Sequence, residues 1–124
     1  MSKSILELEY EFKASPNILY DFITNPSNIA QWFADHCDVT GDRYSFFWNG
    51  YEEIAIADDY NEGEFMRWVW EDEPDKIIEF RLSKADITNS TILIIQDHVD
   101  EDEMEDQRML WDSQIKTLRS KVGG

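Results

Sequence analysis

The final stretch of the chain, Asp100 to Val122, limits the possible folds more than any other. Met104, Arg108, Trp111, Ile115, Leu118 and Val122 recur at steps of three and four, so a helix sets them on one face. Asp100 and Glu103 have the spacing of an acidic capping box, and Glu101, Asp102, Glu105 and Asp106 crowd the first turns. Lys116, Arg119 and Lys121 fall in the last turns, the polarity that the helix macrodipole favours, before Gly123 and Gly124. A long helix with such a stripe must lie against another apolar surface.

The upstream sequence supplies that surface. From Leu6 onward the segment Ile5 to Phe12 alternates apolar and charged residues, which turns Leu6, Leu8, Tyr10 and Phe12 inward on a half-buried strand. Ser15-Pro16 and Asn25-Pro26 each pair a capping side chain with a proline at the first helical position. Two short helices follow, one with Ile18, Leu19, Phe22 and Ile23, the other with Ile29, Trp32 and Phe33. From Asp38 to Asp97 the chain reads as strands and turns. Tyr44 to Trp48 and Glu53 to Ala57 flank the hairpin signal Asn49-Gly50. Glu64 to Glu71, Lys76 to Ser83 and Thr91 to Asp97 complete the run. The expected class is α+β: a curved antiparallel sheet of about six strands around a long C-terminal helix, with two short helices between the first and second strands.

At 124 residues the chain makes one domain, and 42% hydrophobic content suffices for a core without staples. A net charge of −16 repels nucleic acid and anionic membranes, so neither is an expected partner. Cys37 is the sole cysteine and forms no internal disulfide, which fits a reducing compartment. No apolar block marks a signal peptide, and no run is long enough for stable membrane insertion. A cytoplasmic protein is the expectation.

Several segments together carry a family likeness. Ser15-Pro16, Asn25-Pro26 and Gln31-Trp32-Phe33, then Gly41 to Phe46, Met66 to Trp70, and Trp111, Ile115 and Leu118 resemble the START-like (SRPBCC) superfamily. More narrowly they are similar to the branch sharing the C-terminal domain of the Hsp90 activator Aha1. Small stand-alone bacterial members are the nearest in pattern, with a strand ending in Asp (here Asp97) and a W-D-x-Q-I segment (Trp111 to Ile115). The resemblance implies a helix-grip fold, often with an apolar cavity between sheet and helix. It also implies lipid, sterol or polyketide binding in some members, cyclisation or dehydration in others, and co-chaperone action in a third group.

Strand parity puts Tyr44, Phe46 and Trp48 on one face, likewise Met66, Trp68 and Trp70, then Ile78, Phe80 and Leu82, then Leu93 and Ile95. Arg67 and Arg81 alternate with these and point outward. Together with Trp32 and the helix residues Met104, Arg108, Trp111 and Ile115, the inward set is expected to line a cavity on the order of a few hundred Å³. The competing expectation is a filled core, since each aromatic buries about 150–250 Å². Arg108 interrupts the stripe and suits a ligand carboxylate, although the structural reading, snorkelling or pairing with Asp97, is preferred.

Other constellations carry less. Asp35-His36-Cys37-Asp38 has metal-ligand residue types, but neighbours on an extended chain point opposite ways, so no metal is expected. The acids from Asp97 to Asp106 lack the glycine and alternate ligands of a calcium loop and read as a solvated helix start. No nucleophile–base spacing and no phosphate loop is present, so neither catalytic residues nor a cofactor are assigned. An acid–base role for Asp97 or His98, with Tyr44 assisting, has no support from spacing. Ile92 and Ile94 fall on the outer sheet face, beneath loops or in an oligomer contact. The leading expectation is non-enzymatic binding of a small hydrophobic or amphipathic ligand, lipid-like or polyketide-like. A co-chaperone-like interaction module, as a protein partner or homodimer, and a cyclase or dehydratase are the alternatives.

Overall fold

Alternation along Leu6, Leu8, Tyr10 and Phe12 becomes β1 (Lys3–Phe12), with Leu6, Leu8 and Phe12 buried and Tyr10 half-buried. The computed structural model describes residues 3–124. After β1 come α1 (Pro16–Thr24) and α2 (Pro26–Ile29), then β2 (His36–Thr40), β3 (Arg43–Trp48), β4 (Tyr51–Asn61), β5 (Phe65–Trp70), β6 (Ile77–Lys84) and β7 (Thr91–Asp100). A 3-10 turn (Glu101–Glu103) leads into α3 (Met104–Val122).

Both short helices start as their sequences dictate. The Ser15 hydroxyl accepts from the Ile18 N–H, and the Asn25 side-chain oxygen accepts from the Ser27 N–H. Buried between α1 and the sheet, the Thr91 hydroxyl donates to the Ala14 carbonyl at 2.6 Å, which fixes the exit from β1. Asn49 and Gly50 both take positive φ (49° and 84°) between the paired residues Trp48 and Tyr51, as a tight hairpin of this type requires.

The sheet is antiparallel throughout, in the order β1-β7-β6-β5-β4-β3-β2. It has seven strands rather than about six. The addition is β2, five residues long, too short for an alternation signal of its own; it is held by pairing Cys37 with Phe46 and Val39 with Tyr44. Its extended backbone leaves His36 and Asp38 exposed and Cys37 buried, so adjacent residues diverge as expected. A register shift between Ala57 and Asp59 marks a bulge in β4, a feature that bends a strand.

The long helix starts later than its sequence suggests. β7 continues to Asp100, opposite Lys3, and the Asp100 carboxylate takes the Lys3 ammonium at 3.1 Å. Asp100 therefore makes no capping bond, and the acidic capping box is not formed. Trp111, Ile115 and Leu118 bury the stripe of α3 against the sheet's inner face. Near its end the Arg119 guanidinium lies 4.5 Å from the Phe12 ring centroid and donates to the Glu11 carbonyl.

Outside, Arg67 pairs with Asp58 and Glu79, and Arg81 lies over the Phe65 ring at 4.4 Å. Ile92 and Ile94 are half-buried on that face. Their lateral neighbours are Glu11 and Ser83 for the first and Glu9 and Arg81 for the second, whose longer stems shield apolar surface.

Candidate functional site

The inward aromatics do not enclose one continuous chamber. Phe46 and Trp68, both wholly buried, stand edge to face with ring centroids 5.0 Å apart. Phe33 closes on them at 5.1 and 5.5 Å. Two cavities of similar size lie toward opposite ends of the strands.

The first, about 370 Å³, lies between α3 and the sheet. Phe33, Trp48, Trp70, Ile78, Leu110 and Trp111 form its apolar wall, and Glu53, Lys76, Asp97, Gln107 and Gln114 supply the polar groups. The wall is held in place by hydrogen bonds: the Phe33 carbonyl accepts from the Trp48 indole at 2.8 Å and from the Gln114 amide at 3.2 Å. Lys76 sits over the Trp70 ring, 5.9 Å from its centroid.

Asp97 is the chemically distinctive member. Its inward position follows from strand parity with Leu93 and Ile95, and no part of it reaches solvent. One carboxylate oxygen, Oδ2, accepts from the Trp111 indole at 2.8 Å; among the described residues Oδ1 makes no hydrogen bond of ordinary geometry, although the Gln107 side chain lies close enough to favour the charged form. The buried Trp70 indole N–H has no hydrogen-bond partner among the described residues. Burial raises the Asp97 pKa above the usual carboxylate value, against the opposing pull of the Trp111 hydrogen bond, the Lys76 charge and the Gln107 side chain.

That shift has a stability consequence. Between the unfolded and folded pKa values the native state binds more protons, so the contribution of Asp97 to stability falls as pH rises through that window. Asp97→Asn, which cannot ionise, should melt higher than the parent at neutral pH, and the gap should close on acidification. Paired thermal melts from pH 4 to pH 8 read this directly, the pairing removing the shared effect of the other charges. A gap that widens toward low pH contradicts the buried-charge account.

Of the residues expected around a cavity, Trp48, Trp70, Ile78 and Trp111 line this one. Tyr44 and Met66 line the other cavity. Trp32, Phe46, Trp68, Phe80, Leu93, Ile95 and Ile115 belong to the packed core, with the Trp32 indole donating to the Phe22 carbonyl at 2.8 Å. Met104 is half-buried at its edge. Arg108 does not enter the site at all. Its side chain is 44% exposed with Glu105 3.9 Å away, and Trp111 takes the place beside Asp97 that a buried arginine would have needed. The helix presents Gln107, Trp111 and Gln114 instead, at steps of four and three. Phe33, Lys76, Gln107, Leu110 and Gln114 are lining residues that sequence reasoning did not select. The available signal was Asp97 itself, an acid at an inward position of an otherwise apolar strand.

The second cavity, about 380 Å³, opens among α1, the β2–β3 turn and the β4–β5 turn. Tyr20, Tyr44, Tyr60, Met66 and Ala57 border it, with Asp21, Asp42 and Glu62 among its polar groups.

A family model for the START-like superfamily domain matches residues 1–124. The chain belongs to the START-like superfamily. A Bacteroides fragilis protein solved by NMR is 32% identical, with 98% of this chain and 92% of that one covered and a TM-score of 0.69. Two more distant likenesses support the fold alone. The Aha1 dimer from Colwellia psychrerythraea is 18% identical, with a TM-score of 0.83 and 96% of each chain covered. DynU16, a putative protein of the dynemicin biosynthetic locus, is 17% identical with a TM-score of 0.80, covering 96% of this chain and 47% of that one. No curated protein matches this START-like domain in sequence. No described helix is long and apolar enough to cross a membrane.

Proposed function

We propose that this START-like domain binds a small amphipathic molecule between α3 and the sheet, apolar body first, with a hydrogen-bond donor reaching Asp97. The observation that supports this reading is the buried Asp97 carboxylate, whose Oδ1 makes no hydrogen bond of ordinary geometry among the described residues, beside an aromatic wall in a cavity of about 370 Å³. A buried acceptor without a partner costs about 1–3 kcal/mol, and a ligand hydroxyl would recover part of that. Lipid-like alcohols and phenolic polyketide-like compounds both have the required chemistry.

The experiment is an NMR titration of the full chain with decanol and with 1-naphthol, followed on the tryptophan indole N–H signals. The Trp70 and Trp111 signals should move saturably, that of Trp70 most because it has no internal partner. Titrations that leave both signals in place, together with native mass spectrometry finding no co-purified species, overturn the reading. An interaction role has one supporting feature, the exposed pair Met109 and Leu110 beside the cavity mouth (64% and 49% exposed). Acid–base chemistry of the cyclase or dehydratase kind would draw on Asp97, Lys76 and Glu53, ionisable groups that line this cavity.

A further inference from the structure

The second cavity lies at the opposite end of the strands from Asp97, and the proposed ligand has no use for it. Its contents are unlike those of the first. Tyr20 and Tyr44 are each more than nine-tenths buried (9% and 6% exposed) and border the cavity. Neither hydroxyl has a hydrogen-bond partner among the described residues; burial and neighbouring negative groups are what act on both. The rings are buried while the hydroxyls keep access to the open volume they border, so both are free to bond whatever enters it. A third ring, Tyr60, stands at the rim, 55% exposed.

The charge around these rings has one sign. Asp21, Asp42 and Glu62 are the ionisable lining residues besides the tyrosines, and no lysine or arginine joins them. Asp21 is partly engaged, accepting from the Asn28 amide at 2.7 Å. Asp42 and Glu62 make no such side-chain bond among the described residues and are exposed at two facing turns. Burial pushes the Tyr44 phenol up to about 12, so it stays neutral and can accept a hydrogen bond as well as donate one.

We infer that this cavity is a second binding site, for an organic cation bearing N–H donors, such as an alkylammonium. Carboxylates at the rim neutralise the charge, the phenol oxygens accept from the ammonium hydrogens, and the ring faces attract the cation. A bare divalent ion fits poorly. Among the described residues no three carboxylate, histidine or cysteine groups converge as metal ligands, and the acids are spread around about 380 Å³.

The test uses putrescine as the probe, with butane-1,4-diol as its neutral match and magnesium as a competing ion. Titration of the full chain should give saturable binding of putrescine with a midpoint at or below about 1 mM. Backbone amide shifts should concentrate at Gly41, Asp42 and Gly63, with the Trp70 and Trp111 indole signals unmoved. The double variant Asp42→Asn/Glu62→Gln changes only exposed side chains and should weaken binding by at least about tenfold. A charge-matched control at the far end, Glu101→Gln/Asp102→Asn, should leave it unchanged. Tyr44→Phe, which keeps the ring, should weaken it as well. Equal losses in the two double variants would reduce the effect to bulk charge and overturn the site. Binding of the diol, displacement by equimolar magnesium, or an undiminished Tyr44→Phe affinity would each overturn it too.

Discussion

Trp111→Ala should cost about 3–5 kcal/mol of folding stability, through two effects that add. The indole is 1% exposed and packs between Phe33, with centroids 5.8 Å apart, and the edge of Phe80, at 5.9 Å. Truncation removes that packing and leaves a void where the helix meets the sheet. It also removes the 2.8 Å hydrogen bond to Asp97 Oδ2, so that oxygen is then buried without its donor and Gln107 is left as the neighbouring side-chain donor. Trp111→Phe separates the two, because it keeps most of the ring volume and loses the N–H. Urea unfolding should rank the proteins parent, Trp111→Phe, Trp111→Ala. If the phenylalanine variant matches the parent, the hydrogen bond to Asp97 contributes nothing and the electrostatic part of the account fails. Adding Asp97→Asn to Trp111→Phe should restore part of the loss, since the unpaired group no longer ionises.

Phe33→Ala should be comparably severe, about 3–5 kcal/mol, and should also change the shape of the interior. Phe33 is the ring on which the aromatic set converges: Trp32, Phe46, Trp48, Trp68 and Trp111 all have centroids within 5.1 to 5.8 Å of it. It also lines the cavity beside Asp97. Its removal thins the partition that Phe46 and Trp68 make between the two cavities. An apolar probe too large for the parent, such as a tricyclic phenol, should then bind the variant more tightly, measured by fluorescence titration alongside the unfolding midpoint. A midpoint within about 1 kcal/mol of the parent would show that neighbouring rings close over the gap.

These predictions also show what sequence patterning can and cannot convey. Period-two alternation identified Phe46, Trp68 and Phe80 as inward, and period 3.6 did the same for Trp111 and Ile115; all five are buried. Facing inward does not determine whether a side chain borders empty space. That depends on how the rings tilt against each other. Phe33, expected on the second short helix but placed in the turn beyond α2, fills the middle where parity alone would allow a continuous chamber. Arg108 shows the opposite limit. Its place in the stripe is correct by spacing, yet its charged head turns out to solvent beside Glu105, and Gln107 faces the cavity instead. The lost capping box has a similar origin. Asp100 was legible as a helix start only because Lys3, distant in sequence, could not be seen to pair with it.

The pairing of β1 with β7, from Lys3 opposite Asp100 to Phe12 opposite Thr91, has a bearing on how the molecule assembles. β1 lies at a sheet edge and, in this sheet, pairs with β7 alone, so this strand waits for one some eighty residues later before it can pair. Closure of so long a loop must precede those contacts, which is the signature of slow, non-local folding. In that interval Leu6, Leu8 and Phe12 have no cover, and the glutamates between them, Glu7, Glu9 and Glu11, are the charges that keep such a nascent strand from pairing with its neighbours.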